Sequence, residues 1–279
     1  MYKIVAKKKL NSTVTMMDIY APLVAKKAQA GQFIILRISS DGERIPLTVA
    51  GYDRTAGTVK IIFQIVGATT MLLNAKNEGE FIEDFVGPLG CATHTDGLKK
   101  VCIVGGGVGC AIALPLAQKL HGQGAEVHSI IGFRNKDLVI LEDEFKHCSD
   151  NLTVMTDDGS YGRKGFVTAR LEELITKEQY DEVFAIGPLI MMKFVVTTTK
   201  PKNIPTTVSM NPIMIDGTGM CGGCRLTVGE KIKFACVDGP DFNGFEVDFD
   251  EAIRHKPFQA HLAFAHSQGV RPPSLKDQQ

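Results

Sequence analysis

The most specific chemistry in this 279-residue sequence lies in three cysteines and an aspartate near its C-terminal end. Residues 216–236 read DGTGMCGGCRLTVGEKIKFAC. Cys221 and Cys224 form a CxxC, Cys236 follows on an apolar stretch, and Asp216 stands five residues ahead of Cys221. Gly217, Gly219, Gly222 and Gly223 accept backbone angles that other residues resist, so this loop can wrap closely around an inorganic centre. Three thiolates are converged and a fourth ligand is wanted. In the CxxxxCxxC run of 2Fe-2S proteins the first Cys falls where Asp216 stands, which makes Asp216 the expected fourth ligand. Structural zinc on a Cys3Asp set and a redox dithiol are the competing readings. A loop this rich in glycine is a poor helix start, which weighs against a thioredoxin-type dithiol. Zinc has only the spacing and the rest of the chain against it.

A second chemistry is carried by VCIVGGGVG, an apolar strand running into Gly105, Gly106, Gly107 and Gly109. A helix (AIALPLAQKLHGQG) and a second strand (AEVHSIIGF) follow, the context in which such a turn accepts a dinucleotide pyrophosphate at a helix N-terminus. The bland reading is a tight strand-to-helix turn. Helix and strand then alternate through LEDEFKH, NLTVMT, FVTARLEELI, DEVFAIG and PLIMMKFVVTTT, implying a parallel sheet with helices on its faces. Strand ends place Asp157, Asp158 and Gly159 on one loop and Gly187 and Pro188 on another. Gly187, Pro188 and Met191 are candidates for the nicotinamide side, with helix packing the alternative for Met191. Arg134 follows the second strand, where it could meet the adenosine ribose or pair with Asp137.

The elements ahead of this unit are short and β-rich: TVTMMDIY, QFIILRI, LTVAGY and TVKIIFQIV, broken by glycines, predict a small antiparallel barrel or sandwich. Residues 22–30 read as a connecting loop, and GPLG at 87–90 as a turn leading out of the barrel. Residues 67–73, GATTMLL, could open a short helix whose N–H groups and threonine hydroxyls surround a phosphate, or carry only an N-cap. Thr48, likewise, could be an ordinary strand threonine. Four segments result: 1–97, 98–210, 211–250, and a tail, 251–279, expected to be mobile or docked on a partner.

With 31 basic and 31 acidic residues, the chain has no bulk field to draw nucleic acid or an anionic membrane. No apolar run reaches membrane-span length and the N-terminus lacks a signal-peptide core, so a cytoplasmic protein is expected. The seven histidines show no trusted metal spacing. Cys102 reads as core, Cys110 as a thiol near the phosphate, and Cys91 and Cys148 as ordinary thiols. A barrel, a dinucleotide unit and a metal-sulfur loop together suggest an electron path in which a flavin splits the hydride pair.

RIPLT at 44–48, GGGVG at 105–109, GFRNKDLVILEDEF at 132–145, TDDGSYGRKGFVT at 156–168, GPLIMM at 187–192 and MNPIMIDGTGMCGGCR at 210–225 carry a resemblance to the flavin- and iron-sulfur-containing relatives of ferredoxin-NADP reductase. It extends to about residue 250. Two branches are near: the electron-transfer subunit of dihydroorotate dehydrogenase, and the small subunit of NADH-dependent reduced ferredoxin:NADP oxidoreductase (the sulfide dehydrogenase small-subunit type). The first has Cys as its first cluster ligand, so Asp216 favours the second.

The resemblance implies an FAD-binding β-barrel, an NAD(P)-binding α/β domain and a small C-terminal 2Fe-2S loop domain. Ile45, Pro46, Leu47 and Thr48 match the segment along the flavin ring; Ile62, Phe63 and Gln64 match the strand at the adenylate half of FAD; and Gly67, Thr69 and Thr70 match its pyrophosphate site. The wider reductase pattern has Arg and Tyr where Ile45 and Leu47 stand, with Arg44 adjacent as a substitute. Asp216, Cys221, Cys224 and Cys236 match the cluster ligands. The implied function is a relay: hydride exchange between NAD(H) and FAD, then single electrons to the cluster. The cluster faces a large iron-sulfur flavoprotein subunit whose second FAD bifurcates electrons with ferredoxin. NADP(H) remains possible in place of NAD(H). A zinc-stabilised nucleotide-sensing module is the non-enzyme alternative.

Overall fold

The computed structural model describes residues 1–254. The first elements are β1 (Tyr2–Lys9), β2 (Val14–Tyr20), α1 (Pro22–Lys27), β3 (Phe33–Arg37), β4 (Arg44–Asp53), β5 (Thr58–Gln64), α2 (Ala68–Ala75), β6 (Phe81–Ile82) and β7 (Asp84–Leu89). The seven strands form one antiparallel sheet in the order β6-β1-β2-β5-β4-β3-β7, a nearly closed barrel. Apolar residues point inward: Ile4, Met17, Ile19, Ile34, Leu36, Val49, Ile61, Phe63 and Phe85 form its core.

Two local expectations fail here. Residues 22–27 are a helix, not a loop: Pro22 supplies a preset φ at the first turn, Val24 and Ala25 are buried, and Lys26 and Lys27 complement the C-terminal end. Six residues are too few for periodicity to reveal it. GPLG is not a free turn either, because Gly87, Pro88 and Leu89 belong to β7, an edge strand, where a proline without an N–H is tolerated. The chain turns at Gly90, φ 72°.

The chain continues through β8 (Lys100–Gly106), α3 (Gly109–Gly122), β9 (Glu126–Phe133), α4 (Glu142–Lys146), β10 (Asn151–Thr156), β11 (Arg163–Lys164), α5 (Val167–Lys177), β12 (Glu182–Ile186), α6 (Leu189–Thr199) and β13 (Thr206–Ser209). Then come β14 (Arg225–Val228), β15 (Lys231–Phe234) and β16 (Asp241–Asn243). The second sheet runs β11-β10-β9-β8-β12-β13-β16, parallel except for the β13–β16 pair. β8 is covered on both faces, as its near-continuous apolar run requires. Strand order reverses between β8 and β12, so the crevice at their C-terminal ends is the topological switch point.

β14 and β15 make a hairpin turned at Gly229, and β16 joins the edge of the parallel sheet. Backbone at 249–254 is helical, with Ala252 and Ile253 packed on the core. The start of the expected tail is thus ordered structure; the expectation for the rest of it lies outside the described residues. Among the described residues, no helix is long and apolar enough to cross a membrane.

Candidate metal centre and nucleotide cleft

The loop at 215–224 is held by its own carboxylate. Asp216 Oδ1 accepts the N–H of Thr218 at 3.0 Å, and Oδ2 accepts the N–H of Cys221 at 2.9 Å. These N–H groups hold the Asp216 carboxyl below its ordinary range, so it is an anion well above acidic pH. Gly217, Gly219 and Gly222 all have positive φ, the backbone for which the sequence pattern selected glycine. Cys224 and Cys236 are 1% and 3% exposed, and their sulfurs lie 3.2 Å apart. Burial, and then the neighbouring Cys224 thiol, push the Cys236 thiol up to about 12. Cys221 is exposed.

Among the described residues, no three of these donors already surround one point. Cys224 and Cys236 are brought together, whereas the Cys221 thiol is exposed and the Asp216 carboxylate is turned to its own loop. The donor set nonetheless fits an iron-sulfur cluster. Three thiols and an ionised carboxylate lie on a single glycine-hinged loop and its hairpin, and the backbone bond from Cys221 to Asp216 keeps those two residues side by side.

This loop rests on the barrel. A Cβ on Gly217 would sit 2.8 Å from Leu89 Cδ1 and 3.0 Å from Ile35 Cγ1, so glycine permits the contact with β3 and β7. Ile35 is in register with Pro46 of β4, which puts the loop one strand away from residues 45–48. Arg44 Nε donates to the carbonyl of Ile215 at 3.1 Å, tying the start of β4 to the residue before Asp216. These partners are 171 positions apart, and no sequence signal announces the contact.

β4 pairs with β5 only as far as Val49 and Ile61; residues 44–48 of β4 pair with β3, and residues 62–64 of β5 continue against β2. The strands part there, separating Leu47 and Thr48 on β4 from Ile62, Phe63 and Gln64 on β5. Ile45 and Leu47 pack partly against the barrel core, Ile62 and Phe63 are buried, and Gln64 is exposed. At the near end of α2, Thr69 Oγ1 donates to Glu43 Oε2 at 2.8 Å. The Thr70 hydroxyl accepts the N–H groups of Val66 and Gly67, each at 3.0 Å, the capping role that competed with phosphate binding. The N–H groups of Ala68, Thr69 and Thr70 have no acceptor among the described residues.

At the switch point the glycines are there for close packing. A Cβ on Gly106 would lie 2.4 Å from Met191 Sδ and 3.1 Å from Pro188 Cδ; one on Gly109 would lie 2.5 Å from the carbonyl oxygen of Ile186 and 2.7 Å from Gly187 Cα. Gly105, Gly106, Gly109, Gly187, Pro188 and Met191 are thus brought together. Gly107 (φ +56°) faces open space, and beside it the N–H groups of Val108 and Gly109 have no acceptor among the described residues. Cys110 does not face this side. It is fully buried, with its thiol pushed up by burial, and its Sγ would lie 3.0 Å from a Cβ on Gly105. Arg134 is exposed and makes no ion pair with Asp137 among the described residues; its carbonyl accepts the N–H of Asp158 at 3.3 Å, so the loops carrying Arg134, Asp157 and Gly159 are adjacent.

Sequence reasoning also missed a buried acid. The carboxylate of Asp241 is enclosed where barrel, sheet and metal-binding segment meet, and Thr93 Oγ1 donates to its Oδ2 at 2.5 Å. Around it Cys91 N donates to Gly239 O at 2.7 Å and Met210 N to Pro240 O at 2.8 Å.

The fold and site together define a reductase of the ferredoxin-reductase type with an appended iron-sulfur segment. Residues 211–248 match the iron-sulfur cluster binding domain of dihydroorotate dehydrogenase B. An uncharacterized protein of Clostridium beijerinckii is 52% identical over 265 residues, covering 92% of this chain and 90% of that protein. The Thermotoga maritima homolog of the dihydroorotate dehydrogenase B (NAD(+)) electron transfer subunit is 47% identical over 252 residues, covering 90% of this chain and 89% of its own. A chain from the NADH-dependent reduced ferredoxin-NADP oxidoreductase structure, described for flavin-based electron bifurcation, superposes with TM-score 0.89 at 43% identity, covering 95% of this chain and 97% of that one. The chain belongs to the family of dihydroorotate dehydrogenase B electron-transfer subunits and their homologs, and it is an oxidoreductase subunit.

Proposed function

We propose that this chain is the electron-transfer subunit of an electron-bifurcating, NADH-dependent ferredoxin:NADP oxidoreductase. In it NAD(H) binds at the 105–109 turn, FAD in the β4–β5 cleft and a 2Fe-2S cluster on Asp216, Cys221, Cys224 and Cys236. Residues 1–97, 98–210 and 211–250 are the corresponding units, and a large iron-sulfur flavoprotein with a second FAD is the partner through which ferredoxin is reached. The observation that carries this reading is Asp216. It stands at the first-ligand position, ionised and bonded to the backbone of Cys221, in a chain similar over nearly its whole length to one from the bifurcating oxidoreductase.

A bound flavin supplies the change from two-electron to one-electron chemistry, and a cluster accepts electrons singly. The protein's part is positioning. The N–H groups of Val108 and Gly109, without an acceptor among the described residues, and the open face of Gly107 receive a pyrophosphate, and Pro188 and Met191, packed on Gly106, fix the floor beside it. The N–H groups of Ala68, Thr69 and Thr70, without an acceptor among the described residues, receive the second pyrophosphate, and Thr48 meets the ring system. No side-chain acid or base is required.

The test is anaerobic stopped flow with companion-subunit capture. Flavin reduced faster by NADH than by NADPH, and recovery with a large iron-sulfur flavoprotein, support the reading. Faster reduction by NADPH overturns the nucleotide assignment. Recovery with a barrel dehydrogenase instead makes this the dihydroorotate branch, the second reading that the match at 211–248 favours.

A further inference from the structure

Arg44 holds an unusual position. It starts β4, the strand whose residues 45–48 flank the proposed flavin cleft, and its Nε donates to Ile215 O at 3.1 Å. Its cross-strand neighbour Arg37 is neutralised: Arg37 Nε meets Asp84 Oδ2 at 2.6 Å, and its Nη1 donates to the carbonyl of Ser40 at 2.7 Å. Arg44 has no carboxylate partner among the described residues. Glu43, next to it, accepts from Thr69, and Asp216 is turned to the N–H groups of Thr218 and Cys221. Among the described residues, then, a guanidinium with no acid in contact is fixed beside the metal-binding loop. It is held by a directed N–H rather than by an acid that would cancel its charge.

We propose that Arg44 is a positioning residue for the metal centre: its Nε–H sets the Ile215–Asp216 end of the loop against the barrel, and its charge raises the reduction potential of the cluster bound there. The inference rests on the reading of residues 216–236 as a cluster site. Adding an electron adds negative charge to the centre, and a fixed cation nearby stabilises that state more than the oxidised one. The bond also couples the two cofactor sites mechanically, since the strand beside the flavin and the loop beside the cluster are joined through one side chain. Only Nε is engaged at residue 215, so the two Nη groups of Arg44 stay available for the FAD phosphate contact that its neighbourhood to residue 45 suggests.

The experiment uses the full chain with its cofactors, as wild type, Arg44→Gln and Arg44→Lys. Cluster potentials come from anaerobic redox titration followed by electron paramagnetic resonance, and flavin potentials from the visible spectrum of the same samples. Arg44 is exposed, so all three proteins are expected to fold, and equal iron and flavin contents check this. Arg44→Gln is expected to lower the one-electron reduction constant of the cluster about tenfold, 59 mV, with the flavin potential unmoved. Arg44→Lys, which keeps the charge, is expected to restore most of that shift. A cluster potential unchanged in Arg44→Gln overturns the inference alone, and so does a shift of the flavin in place of the cluster. A wild-type protein with no cluster signal overturns the cluster reading itself.

Discussion

Three glycines of one turn predict three different failures. In Gly109→Ala the new methyl would lie 2.5 Å from the Ile186 carbonyl oxygen and 2.7 Å from Gly187 Cα, both backbone atoms of β12 and its exit, which cannot step aside. Overpacking of this kind costs about 1–3 kcal/mol. At about 2–4 °C per kcal/mol for a chain of this size, Tm should fall by about 2–12 °C. In Gly106→Ala the nearest atom, at 2.4 Å, is Met191 Sδ, on a flexible side chain. Its loss should be smaller, and Met191→Ala should partly rescue it, a coupling that independent sites do not show. In Gly107→Ala the methyl meets nothing within 4 Å, and the protein cost is only that of a left-handed alanine at φ +56°, about 1–2 kcal/mol. That methyl, however, enters the open space next to the Val108 and Gly109 N–H groups, the site proposed above for a pyrophosphate. Losing one or two charge-assisted hydrogen bonds, about 1.5 kcal/mol each, raises the Kd for NADH about tenfold to hundredfold. Thermal unfolding and isothermal titration on the three variants separate these effects. Gly107→Ala binding NADH as tightly as wild type, or Gly109→Ala melting unchanged, would refute the reasoning.

Other expectations concern the metal-binding segment and its mooring. Asp216→Ala should lose most of the cluster iron, and Asp216→Cys should retain it with an altered visible spectrum; equal iron in Asp216→Ala would remove Asp216 from the ligand set. Burial raises the pKa of Asp241 in the folded chain, so below the unfolded value of about 4 its contribution to stability is fully present. As pH rises from there towards the folded pKa, the unfolded chain has released a proton the folded chain still holds, and stability falls. Asp241→Asn should flatten that slope in denaturant titrations run across the window; an unchanged slope would assign it to another group. Tyr180 Oη lies 2.7 Å from Nδ1 of His128, which is 6% exposed, so Tyr180→Phe should cost about 1–3 kcal/mol in urea denaturation.

Much of this architecture is legible in sequence, because each legible feature has a short period or a strict backbone demand. The parallel sheet shows in continuous apolar strands such as β8, and the turn at 105–109 in glycines that a Cβ would jam against Met191 or Ile186. What escaped is long-range or brief. α1 has six residues and is fixed by burial of Val24 and Ala25 rather than by pattern. β16 is a three-residue strand that exists only because β13 offers an edge. The Arg44–Ile215 and Thr93–Asp241 bonds join positions 171 and 148 apart, which no local spacing can report. Cys110 was misjudged for a geometric reason: at the start of α3 its side chain turns back under Gly105 into the core instead of toward the ligand face.

The central claim is that one chain carries both a flavin and an iron-sulfur cluster. Visible spectroscopy of anaerobically purified protein, with iron, acid-labile sulfide, zinc and flavin assayed on the same sample, tests it most directly. The account predicts flavin together with about two irons and two sulfides per chain. A colourless protein containing zinc and no flavin would contradict it and leave a nucleotide-binding module without an electron path.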